Sequence, residues 1–149
     1  MAKDRNSRWS RTRERRRPVR KPWLDYTGQK TADLLACQES HRIDSLICAF
    51  EWGIQAKEAQ KKKLSPEERL VLAVKALDRE VNNGGFDQFL TNSSKRYAGE
   101  IVDALRTIGA KRTADLVAEA LAFARLSFKK RQAAFAPFEE RFFNMSEME

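Results

Sequence analysis

Residues 65–85 read SPEERLVLAVKALDREVNNGG, and their pattern sets the fold class. Ser65 places a hydroxyl at a helix N-cap, Pro66 stands at the first helical position and Glu68 at the third, which together make a capping box with a pre-set first turn. The apolar residues Leu70, Val74, Leu77 and Val81 then recur at three- and four-residue steps, the mark of one apolar helix face. Asn82-Asn83-Gly84-Gly85 is expected to end the helix, because glycine adopts the left-handed conformation that closes helices.

On the N-terminal side, Leu35, Ile43, Leu46, Ile47, Phe50 and Ile54 predict a single amphipathic helix from Thr31 to about Gln60, closed by the polar run Lys57 to Lys63. On the C-terminal side, Phe86, Phe89 and Leu90 have helical spacing over a stretch too short to assign. Tyr97, Ile101, Leu105 and Ile108 mark a further helix stopped by Gly109. Leu116, Val117, Ala120, Leu121 and Ala124 mark another that reaches Phe128. Beyond Phe128, Pro137 is expected to break the chain's helical run and leave Phe138, Phe142 and Phe143 in a last helical turn. Nowhere does period-two alternation with β-branched residues persist, so the expected fold is all-α, a single helical bundle.

The net charge of +8 is unevenly placed along the 149 residues. Met1 to Pro22 holds ten Lys and Arg against Asp4 and Glu14, whereas Trp23 to Glu149 holds nineteen residues of each sign. With only Trp9 and Val19 to bury, residues 1–22 are expected to form a disordered Arg-rich arm, and 23–149 the helical domain. Trp23, Leu24 and Tyr26 are the first residues with enough apolar surface to dock. In the arm, Arg11, Arg13, Arg15, Arg16, Arg17, Arg20 and Lys21 are candidates for nucleic-acid contact through phosphate neutralisation, with Trp9 available for stacking. No apolar run approaches the ~18 residues of a membrane span, and no hydrophobic leader opens the chain. Asp4, Glu14 and the dense Arg15-Arg16-Arg17 run fit an amphipathic presequence poorly. Two cysteines, Cys37 and Cys48, lie too far apart on a continuous helix to be bridged, which fits a reducing cytoplasm.

Cys37, His41, Asp44 and Cys48 would share a helix face at steps of four, three and four, a spacing metal ligands often use. One straight stripe cannot wrap an ion, however, and the chain has no other histidine or cysteine. A metal centre is therefore not expected, and the cysteines read as small core residues. Nucleophilic catalysis would have to use His41 beside a Cys37 that lacks an electropositive setting. The Asn82 to Gly85 turn has neither a dinucleotide fingerprint nor a P-loop ending. Glu80 and Asp87 flank it as a formal carboxylate pair, although polar groups at a helix end more often satisfy free backbone groups. These residues point to no catalytic set, cofactor or metal, and the protein reads as a non-enzyme.

Glu80-Val81-Asn82-Asn83-Gly84-Gly85-Phe86-Asp87-Gln88-Phe89-Leu90-Thr91-Asn92 reads E-x-x-N-G-G-F-x-Q-F-x-x-N. It resembles the central motif of the DNA-mimic protein family, carried here by Glu80, Asn83, Gly84, Gly85, Phe86, Gln88, Phe89 and Asn92. Ala104-Leu105 and Ile108-Gly109-Ala110 look like that family's next helix and glycine stop, and Phe138 to Phe143 is similar to its closing aromatic stretch. The resemblance covers about residues 64–143 and implies an all-helical, commonly dimeric protein without catalytic activity. It implies a protein partner, a transcription regulator in the family's named member. Apart from the resemblance, the motif reads as a structural corner, with two glycines reversing the chain and Phe86 and Phe89 driven into the core beside Leu77 and Val81.

Two functions from different classes are expected. In the first, a non-enzymatic regulatory protein binds a protein partner, or itself, through the helical body. DNA mimicry needs dense negative charge, which a neutral body supplies only if Glu67, Glu68, Asp78 and Glu80 gather on one face. In the second, a nucleic-acid-binding accessory protein works through its arm, with a basic stripe continuing from Arg20 and Lys21 onto Lys95, Arg96, Lys111 and Arg112.

Overall fold

The computed structural model describes residues 20–145. Arg11, Arg13, Arg15, Arg16 and Arg17 of the arm lie outside the described residues. The described chain runs α1 (Thr31–Ala36), α2 (Ile43–Ala59), α3 (Pro66–Thr91), a short 3-10 helix (Ser93–Tyr97), α4 (Ile101–Thr107), α5 (Lys111–Leu121) and α6 (Phe128–Phe143). The fold is all-α as expected, with no strand among the described residues.

α3 starts where its capping box requires. The Ser65 hydroxyl accepts from the Glu68 backbone N–H at 3.2 Å, and the Glu68 carboxylate accepts from the Ser65 N–H at 2.7 Å. The helix then packs against α2, the 3-10 helix, α4 and α6. Its buried face is Leu72, Ala73, Ala76, Leu77, Glu80 and Val81, while Leu70 and Val74 sit at the edge of the core. Phe86 and Phe89 are fully buried with Leu77 and Val81, Ile101, Leu105, Leu116 and Phe135. Phe86 lies 5.8 Å from both Phe135 and Phe142, centroid to centroid, within the range of favourable ring pairs. A second, smaller cluster holds Leu24, Leu34, Leu46 and Ala49, with Tyr26, Cys37 and Phe50 against it.

Three expectations are corrected. The helix expected from Thr31 to Gln60 is two helices, interrupted at residues 37–42. The apolar pattern has a gap there, Gln38-Glu39-Ser40-His41-Arg42, and the Arg42 N–H bonds the Pro22 carbonyl at 3.0 Å instead of continuing a helix. Of the stripe, Leu46 and Ile54 are buried while Leu35, Ile43 and Ile47 are exposed. The helix expected to end at Gly84-Gly85 does end there, by contrast: neither glycine has helical dihedrals, Gly85 has φ 76°, ψ −175°, and a second helical arm of α3 runs from Phe86 to Thr91. α5 ends at Leu121 instead of reaching Phe128, because the chain tightens through Phe123 N–H to Ala120 O at 3.0 Å and turns Phe123 onto Phe138, 5.6 Å away. Finally, α6 runs through Pro137. Phe135 and Phe142, on either side of it, are buried, and their packing outweighs the one hydrogen bond proline removes.

Candidate interaction surfaces

The motif at the α3 bend closes on itself. Glu80 is 7 % exposed, and its carboxylate accepts from Gln88 Nε2, Asn92 Nδ2 and Ser94 Oγ, each at 2.8 Å. Burial pushes this carboxyl up, but the Gln88, Ser94 and Asn92 donors outweigh it and hold Glu80 below the usual glutamate value. Across the bend, the Glu139 carboxylate of α6 accepts from the Phe86 N–H at 3.0 Å, satisfying a donor that the bend frees. A Cβ on Gly85 would stand 2.0 Å from that carboxylate, and one on Gly84 2.0 Å from Gln88 Oε1. Gly84 itself has φ −162°, outside the left-handed region. It is needed for space, and Gly85 for its positive φ.

Glu80 and Asp87 do not form a carboxylate pair. Asp87 accepts from Arg131 Nε at 2.7 Å, between side chains only 13 % and 16 % exposed, so it ties the second arm of α3 to α6. Asn82 bonds Asp78 one turn back, through its carbonyl at 2.8 Å and its carboxylate at 2.9 Å. Asn83 is exposed. Glu80, Gln88 and Asn92 bond to one another, and Ser94, Arg131 and Glu139 join the motif from 14, 44 and 53 residues beyond the residues they bond. No local pattern announces those three, since each acts across the fold.

The Cys37, His41, Asp44, Cys48 stripe is also undone by the break before α2. Cys37 caps α1, His41 lies in the turn, and only Asp44 and Cys48 share α2. Both cysteines are free, Ser40 Oγ lies 2.9 Å from His41 Nδ1, and Asp44 is engaged by Arg42. Among the described residues, no three His, Cys, Asp or Glu side chains meet as a metal cluster.

The charged face needed for mimicry does not form on α3. Glu68 pairs with Lys57 at 2.7 Å, Asp78 with Lys75 at 3.3 Å, and Glu80 is buried, leaving Glu67 outward. Acid does gather elsewhere. Between the start of α3 and α4 lies a groove of about 280 Å³ with Leu70 and Ala104 on its floor and Glu67, Glu100 and Asp103 on its rim. Arg69 holds Glu100 through three contacts of 2.8 to 3.2 Å, while the Asp103 side chain, 3.9 Å from the Arg106 guanidinium, is 86 % exposed. The Ser65 hydroxyl holds the Glu67 carboxyl below the usual glutamate value.

The basic stripe is discontinuous. Arg96 is paired with Glu58 at 3.0 Å, at the far end of α2 from Arg42, and sixteen residues of helix put those ends roughly 24 Å apart. Arg20 and Lys21 stand instead with Trp23 and Arg42 around a cavity of about 480 Å³ at the turn before α2. Of the residues expected to dock, Leu24 is buried and Tyr26 half-buried, but Trp23 remains 44 % exposed.

No helix of the described residues is long and apolar enough to cross a membrane. Compared with known proteins, residues 62–149 match the sequence model of the family described as DMP19-like protein. No curated protein and no solved structure matches the chain.

Proposed function

This chain belongs to the DMP19-like protein family, and on that premise we propose that it is a non-enzymatic regulatory protein whose helical body binds a protein partner. The observation that carries this reading is the groove between α3 and α4, which lies wholly inside the family-matched span and joins an apolar floor to an acidic rim. Such a surface suits a segment with one apolar side chain flanked by Lys or Arg, the kind of segment found on DNA-binding faces. The resemblance to DNA-mimic proteins points the same way and makes a transcription regulator the first partner to test. The contact would be local, since most of the α3 carboxylates are already engaged within the chain.

Glu67 and Asp103 are exposed, so the double variant Glu67→Lys/Asp103→Lys should fold normally. Lysate proteins captured on the wild-type chain are compared with those captured on the variant, and the retained protein is then purified and titrated with each. We expect one basic protein to bind the wild type at least about tenfold more tightly, a loss of ~1.4 kcal/mol in the variant, and DNA to compete with it. Equal binding to both chains, or nothing retained beyond a column of unrelated protein, would sink the proposal.

A further inference from the structure

The segment before α1 presents a tryptophan, Trp23, that stays 44 % exposed. The Pro22 carbonyl accepts from the Arg42 N–H at 3.0 Å, and Lys21 Nζ donates to the Gln38 carbonyl at 3.2 Å. One residue beyond Trp23, Leu24 is fixed in the smaller cluster at 8 % exposure. The backbone of Trp23 is therefore held on both sides. With Leu24 inward, Trp23 remains exposed. Arg42 stands over the ring, its guanidinium carbon 5.4 Å from the centroid, and Asp44 holds that guanidinium through both of its oxygens. Arg42's charge is thus largely offset by Asp44, and its guanidinium covers one face of the ring. Arg20 and Lys21 complete the cavity, and eight further cations precede them in residues 1–19.

The geometry points to a binding site for single-stranded nucleic acid, in which an unpaired base stacks on Trp23 while Arg20 and Lys21 neutralise the flanking phosphates. Cations alone would serve a duplex or a single strand, because both present phosphate. The indole separates them. Duplex bases are stacked on one another, whereas a single strand offers a free base face to an aromatic ring. An acidic peptide would satisfy the cations but leave the ring idle. The cavity volume falls within the roughly 300–1,000 Å³ of ligand clefts. This site lies outside the family-matched span and does not depend on the protein-partner groove.

The test uses the full chain carrying Trp9→Phe and Trp52→Phe, so that Trp23 is the remaining tryptophan. Titration with a twelve-nucleotide mixed single strand is expected to quench its fluorescence, and the matching duplex is expected not to. In the wild-type background, Trp23→Ala should weaken single-strand affinity about tenfold by fluorescence anisotropy at fixed salt, with Trp23→Phe recovering most of it and duplex affinity unmoved. Absence of quenching overturns the site. So does an equal loss for single strand and duplex, which would make Trp23 a structural residue. Quenching by polyglutamate equal to that by the oligonucleotide would reassign the corner to an acidic protein segment.

Discussion

Glu80 is a carboxylate held out of water by the groups that restrain it. Leaving a buried donor without its acceptor costs ~1–3 kcal/mol, and three donors converge on this side chain, although Asn92 is exposed and can turn to solvent. We therefore expect Glu80→Ala to cost about 3 kcal/mol in urea unfolding, and Glu80→Gln less, since its amide keeps one acceptor oxygen. The pH dependence has a definite sign. Because the folded-state pKa is depressed, this carboxylate's stabilisation is complete above the unfolded value and is lost as pH falls through the folded one. The stability gap between wild type and Glu80→Gln should consequently narrow between pH 6 and pH 3. A constant gap would show that ionisation of Glu80 does not contribute. The sequence marks Glu80 as a letter of a resemblance and as half of a formal carboxylate pair, not as the acceptor of three donors, because its partners lie 8, 12 and 14 residues away.

At the scale of elements, sequence patterns located helices better than they located breaks. The Ser65 capping box and the Gly109 stop are local chemistry and stand where expected, with Gly109 at φ 88°. The gap at residues 37–42 and the passage of α6 through Pro137 depend on contacts across the fold, with Pro22 in one case and Phe86 in the other. The glycine pair was legible as a corner, but its roles were not. Gly85 holds the positive φ, in a region of backbone space essentially reserved to glycine, where another residue costs ~1–3 kcal/mol. Gly85→Ala also drives its Cβ against Glu139 and breaks the cap on Phe86. It should therefore lower the melting temperature more than Gly84→Ala, which pushes the Gln88 amide off Glu80 but strains no positive φ; the reverse order would refute this division of roles. Pro137 is on the exposed face of α6. Pro137→Ala restores a helical N–H and should stabilise the protein by about 1–2 kcal/mol after the gain in unfolded-chain entropy is subtracted, read from the same melts.

The whole molecule divides unevenly between its two clusters. The larger lies almost entirely within the family-matched span and is built from α3 to α6, whereas the smaller rests on four buried side chains from the segment before α1, α1 and α2. α2 joins them, contributing Ile54 to the larger cluster and the pairs Glu51–Arg79, Lys57–Glu68 and Glu58–Arg96 around it. The partly exposed pairs Lys57–Glu68 and Glu58–Arg96 are worth ~0–1 kcal/mol each, while truncating a buried isoleucine costs ~2–5 kcal/mol, so Ile54, together with the buried Glu51 carboxylate, should dominate the attachment. Native-state hydrogen exchange separates the contributions. Amides of α1 and the first half of α2 are expected to exchange through openings of lower free energy than those of α3 and α5, because so few buried contacts hold them. Ile54→Ala should accelerate exchange throughout α2 while leaving α5 protection nearly unchanged, whereas Glu58→Ala should change little. If α1 and α5 instead share one exchange free energy and Ile54→Ala lowers both equally, the two clusters open as a single cooperative unit. The corner at Trp23, braced by the Arg42 turn at the head of α2, would then be as rigid as the family domain, instead of belonging to an N-terminal unit that opens independently of it.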